Sequence, residues 1–267
     1  MLTIYGVCRL RASRTFWLVG ELGLAFRHVP VVQAYRLADP NAGGAPFNTR
    51  SPEFLRLNPN GHIPSIDDDG FVLNESLAIN LYLAKKHGGA LAPANVAEDG
   101  AMMMWALWAA TEVEPHALNV LYHRLSYAEA KRDANIAAAA VAALKAPFAV
   151  FDRALATTGF AVGSRFTVAD INLAEVFRYA MPAPELFQPP LGSAAWLRRL
   201  PGAPRLQGHD GATGGGARLR PQSGTRMVAR SPPMELTLSA MSPPWLRAIS
   251  RAIARPRPEL PASWLRA

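Results

Sequence analysis

Cysteine is almost absent: Cys8 is the single one in 267 residues. One thiol excludes an internal disulfide framework and a cysteine-built zinc cluster, and such usage suits a reducing compartment. His28, His87, His116 and His123 fall at no metal-ligand spacing, so no metal is expected. No run of about 18 apolar residues occurs, and no membrane span is expected. The opening Met1-Leu2-Thr3-Ile4-Tyr5 lacks the charged-then-apolar pattern of a secretion signal. The glycosylation pattern at Asn74-Glu75-Ser76 therefore has no secretory context, and a cytoplasmic protein is the expectation.

Lysine is missing from Leu200 onward, where ten arginines face Asp210, Glu235 and Glu259. That stretch carries +7 of the formal +8, and the first 199 residues hold 18 basic and 17 acidic side chains. A basic folded face is the footprint of nucleic-acid binding. Charge gathered in one terminal stretch gives no such face, so no nucleic-acid partner is expected.

Half of the residues are apolar, enough for a sizeable core in one large or two modest domains. Residues 2–5 alternate as a short strand, 15–22 show helical spacing stopped by Gly23, and 26–32 form a β-branched strand. Two strands joined by one helix make a βαβ unit, which requires parallel strands. A Pro, Gly and Asn-rich loop follows over 36–50, then a short helix with Ser51 as cap and Pro52 at its first position. Residues 63–66 and 71–73 flank Asp67-Asp68-Asp69-Gly70. Asp-Gly between apolar runs is a hairpin signal, and the acids read as a turn rather than a metal site. A helix begins at Glu75 and ends at Gly88-Gly89. Beyond a linker over 91–97, strand signals stop. Residues 101–122 and 128–157 read as long helices. Thr167-Val168-Ala169-Asp170 is a capping-box variant with Phe166 and Ile171 placed as a staple, opening a helix from 168 to about 179. The boundaries are thus 1–87 for a thioredoxin-like α/β domain, 94–199 for an all-helical domain and 200–267 for an irregular tail.

This order, with Asn58-Pro59-Asn60-Gly61-His62-Ile63-Pro64, the stretch from Gly70 through Asn74-Glu75-Ser76 to Tyr82, and the Thr167–Asp170 box, resembles the soluble glutathione transferase family, of the bacterial type, over residues 1–199. The resemblance implies a cis bond before Pro64, which leaves the Ile63 backbone to pair with the cysteinyl unit of glutathione. It implies Glu75 for the γ-glutamyl ammonium, Ser76 at a helix N-terminus for the γ-glutamyl carboxylate, and His62 for the glycyl carboxylate. Ser76 as a plain helix cap and Ile63-Pro64 as an edge turn are the structural alternatives.

Members of the family lower the glutathione thiol pKa, ordinarily about 8.5, with a hydroxyl or cysteine after the first strand. The serine of serine-type members aligns here with Leu10, four residues before Arg14. Ser13 is the nearest hydroxyl and the candidate catalytic residue, with helix capping as its alternative. Cys8 and Tyr5 lie off the matched position, and Arg9 and Arg11 offer electrostatic support. A hydrophobic electrophilic small molecule would sit between the domains, with Met102, Met103, Met104, Trp105, Trp108 and Tyr122 either lining it or packing as core. The resemblance implies a homodimer that uses glutathione as co-substrate without a further cofactor. A non-catalytic binding or assembly module is the alternative that Leu10 favours, and an oxidoreductase acting through Cys8 is a third.

The break at Leu200 has its own reading. Residues 200–213 admit a back-translation that, shifted by one nucleotide, encodes CQARPAFKAMMERR, a natural continuation of the final helix. A frameshift near codon 200 is the expectation, against a genuine Arg/Pro-rich extension in which 245–249 forms a short amphipathic helix.

Overall fold

The computed structural model describes residues 1–188 and 192–201. The tail readings, both the shifted frame and the amphipathic segment, fall outside the described residues.

The first half runs β1 (Leu2–Tyr5), α1 (Arg11–Glu21), β2 (Arg27–Val29), α2 (Pro52–Leu57), β3 (Ser65–Asp68), β4 (Phe71–Asn74) and α3 (Ser76–His87). The strands lie in the order β2-β1-β3-β4, with β1 and β2 parallel and the other pairs antiparallel. Ile4 faces Ile66 across β1 and β3, both fully buried, so the sheet centre is apolar. Between β3 and β4 only Asp69 and Gly70 turn, at φ 55° and 92°. Positive φ at both positions is the hairpin geometry whose twist matches the strands. Asp67 and Asp68 belong to β3 rather than to the turn, and Asp67 Oδ1 accepts from Gly70 N–H at 2.7 Å.

Three boundaries differ from expectation for physical reasons. Helix α1 starts at Arg11, not residue 15: Ala12, Ser13 and Arg14 are all buried, Ser13 against Glu175 and Arg178 and Arg14 between Ser76 and Glu114, so the first turn is held by packing that apolar spacing does not show. Strand β2 stops at Val29, since Pro30 has no N–H to donate. Ser51 precedes α2, but its hydroxyl accepts from Asn48 N–H at 3.0 Å instead of capping the helix.

The second half is helical. Helix α4 (Val96–Trp108) passes through a π-helical stretch, Ala109–Val113, into α5 (Glu114–Leu121), and a second π stretch, Tyr122–Ser126, follows. Pro115 cannot donate to the carbonyl four residues back, so the α ladder is broken there. Helix α6 (Ala134–Thr158) begins six residues later than expected, at the Asp133 cap, and ends at Gly159 with φ 80°. Among the described helices it alone is long and apolar enough to cross a bilayer. Here it packs against α5 and α8 (Gly192–Arg199), burying Leu144, Phe148, Phe151 and Leu155.

Helix α7 (Val168–Phe177) is buried along its whole length. The Asp170 carboxylate reaches back to Thr167 N–H at 2.9 Å, and also accepts from Ala161 N–H at 2.9 Å and Trp196 Nε1 at 2.8 Å. The predicted capping box thus also pins α8. Helix α7 also meets α1, α4 and α3, and there Asn80 Nδ2 donates to Asn172 Oδ1 at 2.8 Å.

Candidate functional site

A cavity of about 1070 Å³ opens where the two halves meet, at the top of the size range for small-molecule sites. Its polar end comes from the first half. The peptide bond Ile63–Pro64 is cis, and His62, Ile63, Pro64, Glu75 and Ser76 all line the same space. The five residues that the resemblance implies for glutathione therefore line one cavity.

The Asn-Pro-Asn-Gly motif builds this end. Buried Asn58 donates from Nδ2 to His62 O at 2.8 Å and accepts from Asn60 N–H at 3.1 Å, which fixes the chain leading into Ile63. Gly61 has φ 60°, and a Cβ there would stand 2.8 Å from Thr49 O, so no other residue fits. Glu75 holds φ 67° at the start of α3, a left-handed backbone that non-glycine residues adopt at a cost and that concentrates at functional positions. Gln33 Oε1 is buried at the same cavity with no partner among the described residues.

The apolar end comes from α3 through Leu77, Ala78 and Leu81, from the α4–α5 run, and from Tyr35. Of the six residues predicted for this wall, Met103 and Tyr122 line it. Met102 is fully buried and Trp105 nearly so, Met104 is absent from the lining, and Trp105 meets Phe151 edge to face while Trp108 meets it tilted. The lining instead uses Met103, Leu107, Ala110, Glu114, Leu118 and Tyr122. Steps of three to four residues mark one helical face, and that periodicity is the signal a contiguous Met-Trp block obscured. A step of four slightly overshoots a 3.6-residue turn, and the wider π stretch Ala109–Val113 lies within this run.

Between the two ends lies charge. Arg11 Nε donates to Glu114 Oε1 at 2.6 Å, and Arg14 Nη1 and Nη2 donate to Glu114 Oε2, each at 3.4 Å. Arg14 Nη1 also donates to Ser76 Oγ at 3.3 Å. Burial pushes the Glu114 carboxyl up, but the Arg14 and Arg11 charges outweigh it and hold the group below the usual carboxylate range. Sequence reasoning missed Glu114 as a site residue.

Ser13 is elsewhere. It is buried on the α7 side of α1 and is absent from the cavity lining. Its hydroxyl lies within reach of two acceptors, Leu10 O at 2.5 Å and the Glu175 carboxylate, either of which can take its one proton, and it accepts from Arg178 Nη2 at 3.0 Å. The physical reason is helical geometry: Ser13 turns to α7 while Arg14, one residue on, reaches Ser76. Tyr5 and Cys8 do not line the cavity either, whereas Arg9, Leu10 and Arg11 do. Leu10 sits at the cap of α1 with φ 49°.

Residues 10–86 match the N-terminal domain of glutathione S-transferases, and residues 133–209 match their C-terminal domain. The chain belongs to the glutathione S-transferase family. Glutathione S-transferase 3 of Zea mays is 31% identical over 164 residues, 60% of this chain and 68% of that protein. Probable elongation factor 1-gamma 2 of Arabidopsis thaliana is 32% identical over 123 residues. That match covers 46% of this chain but only 29% of the elongation factor. A theta class glutathione S-transferase from Xanthomonas axonopodis pv. citri, crystallised with glutathione bound, superposes with a TM-score of 0.62 at 29% identity, covering 74% of this chain and 91% of that one. The family's thioredoxin-like and helical domains are the two halves described above.

Proposed function

We propose that the protein binds glutathione at the polar end of the cavity and directs its sulfur, as thiolate, at an electrophilic carbon of a small apolar molecule held by the α4–α5 wall. The observation that carries this reading is the meeting of cis Ile63–Pro64, Glu75 and Ser76 in one cavity that also opens onto an apolar face. Ile63 pairs through its backbone with the cysteinyl unit, Glu75 receives the ammonium, Ser76 and the α3 N-terminus receive the γ-glutamyl carboxylate, and His62 meets the glycyl carboxylate. In substitution, the sulfur–carbon bond forms as the leaving group departs with its electron pair. In addition, the electrophile takes up a proton.

Leu10 itself offers no hydroxyl, and Ser13 lies off the cavity. The thiolate is instead favoured by the positive field of Arg9, Arg11 and the N-terminus of α1, all at the cavity. A cytoplasmic homodimer is the assembly that this reading entails. The second reading is a binding or assembly module without catalysis. Leu10 favours it, as does the likeness to a protein named as an elongation factor. Conjugation of glutathione to a chlorodinitrobenzene, followed at the chloride-releasing step with the full chain, separates the two. Turnover above the uncatalysed rate supports the enzyme, and none from a folded, glutathione-binding protein supports the module.

A further inference from the structure

Arg11 lines the cavity and is half exposed, and its Nε is anchored on Glu114 Oε1 at 2.6 Å. Its terminal nitrogens make no other hydrogen bond among the described residues. The same carboxylate already faces Arg14, which is almost fully buried. Two guanidinium groups therefore share one carboxylate, and the trio keeps one net positive charge. Arg14 is the member that reaches Ser76, the site assigned to glutathione. Arg11 stands on the other oxygen of Glu114 and within electrostatic reach of Tyr122.

Tyr122 gives that end its shape. Its ring stacks on Tyr127 with centroids 5.1 Å apart and planes at 14°, so a flat, backed aromatic surface lines the cavity beside Leu118 and Leu107. Burial, then the neighbouring Tyr35, push the Tyr122 hydroxyl up from its ordinary value. The phenol stays neutral and does not supply the missing negative charge. A guanidinium fork matches the two oxygens of a carboxylate, and a backed ring favours a planar partner.

We propose that the second substrate is a planar aromatic electrophile bearing a carboxylate, with the carboxylate on Arg11 and the ring against Tyr122. This rests on the reading that the polar end takes glutathione. The chemistry is unchanged: sulfur bonds to the aromatic carbon, the leaving group departs with its electron pair, and the carboxylate only binds.

The test is calorimetric binding of an unreactive matched pair, 3,5-dinitrobenzoate and 1,3-dinitrobenzene, to the full chain with S-methylglutathione present and absent. The benzoate is expected to bind at least about tenfold tighter. Arg11→Met should erase that preference and Arg11→Lys should keep part of it, while Glu114 retains Arg14 as a partner in both. Equal affinities in the unaltered protein, or a preference that survives Arg11→Met, overturn the proposal. The former result would assign the spare charge to the thiolate alone. If S-methylglutathione fails to bind while the benzoate preference holds and depends on Arg11, the glutathione reading falls and the anion site stands.

Discussion

Leu10 sits at the cap of α1 and on the cavity, and in the proposed function it is the position at which a hydroxyl would act on the thiol. Leu10→Ser is expected to raise kcat/KM for a chlorodinitrobenzene by about 10²-fold, the scale of a positioned proton-transfer or hydrogen-bonding group. An unchanged rate would show that the arginine field already does what a hydroxyl would. Glu114 is the second decisive residue, because it is buried and answers two arginines. Glu114→Gln removes the charge and leaves Arg14 buried without its counter-ion, so stability should fall by about 3 kcal/mol, read from the urea midpoint. A loss under about 1 kcal/mol would mean that the trio is hydrated and weakly coupled. The legibility of these residues follows from how local their roles are. Asn58, Gly61, Ile63 and Pro64 act through neighbouring backbone, and Glu75 and Ser76 open α3, so two short contiguous motifs announce them. Ser13 and Glu114 owe their roles to partners 162 and 103 residues away, Glu175 and Arg11. Nothing near Ser13 in sequence says that its face of α1 meets α7 rather than the ligand.

Helix α7 shows the same contrast at the scale of an element. Its start is legible because a capping box is written in four consecutive residues. Its central burial is not, because it depends on α1, α3, α4 and α6 closing around it. Asp170 links the two kinds of information, serving Thr167, Ala161 and Trp196 together. Asp170→Ala is expected to cost about 3 kcal/mol, the sum of several buried hydrogen bonds and a lost cap. Trp196→Phe, which removes one donor and keeps most of the ring, should cost about 1 kcal/mol. Equal costs would mean that the α8 contact, not the cap, dominates. In the α4–α5 run, the sequence pattern predicts one helix over 101–122. The π stretches around Pro115 were not legible, although proline in mid-helix marked where the ladder had to fail.

At the scale of the molecule, the segment that joins the two halves is clasped by an ion pair of the second half, and that pair titrates. Arg165 donates to Glu98 Oε2 at 2.7 Å and Oε1 at 2.9 Å, and to the linker carbonyls of Ala92 at 2.8 Å and Ala90 at 3.2 Å. The Arg165 hydrogen bonds, helped by Ala94 N–H, bring the Glu98 carboxyl down to about 2 from 4.5. A depressed carboxylate favours the folded state at pH above its ordinary value, and that contribution disappears as pH falls from 4.5 to about 2. The melting temperature should therefore drop more steeply across that window in the unaltered protein than in Arg165→Met, and parallel curves would contradict the assignment. The linker so clasped sets the two halves around the cavity, and the central claim is that this cavity holds glutathione. Calorimetric titration of the full chain with glutathione tests it most directly. The account predicts one site per chain, with a Kd between about 1 μM and 1 mM, weakened at least about tenfold by Glu75→Ala and by Ser76→Ala. No heat of binding to the folded protein, or binding indifferent to both substitutions, would contradict it.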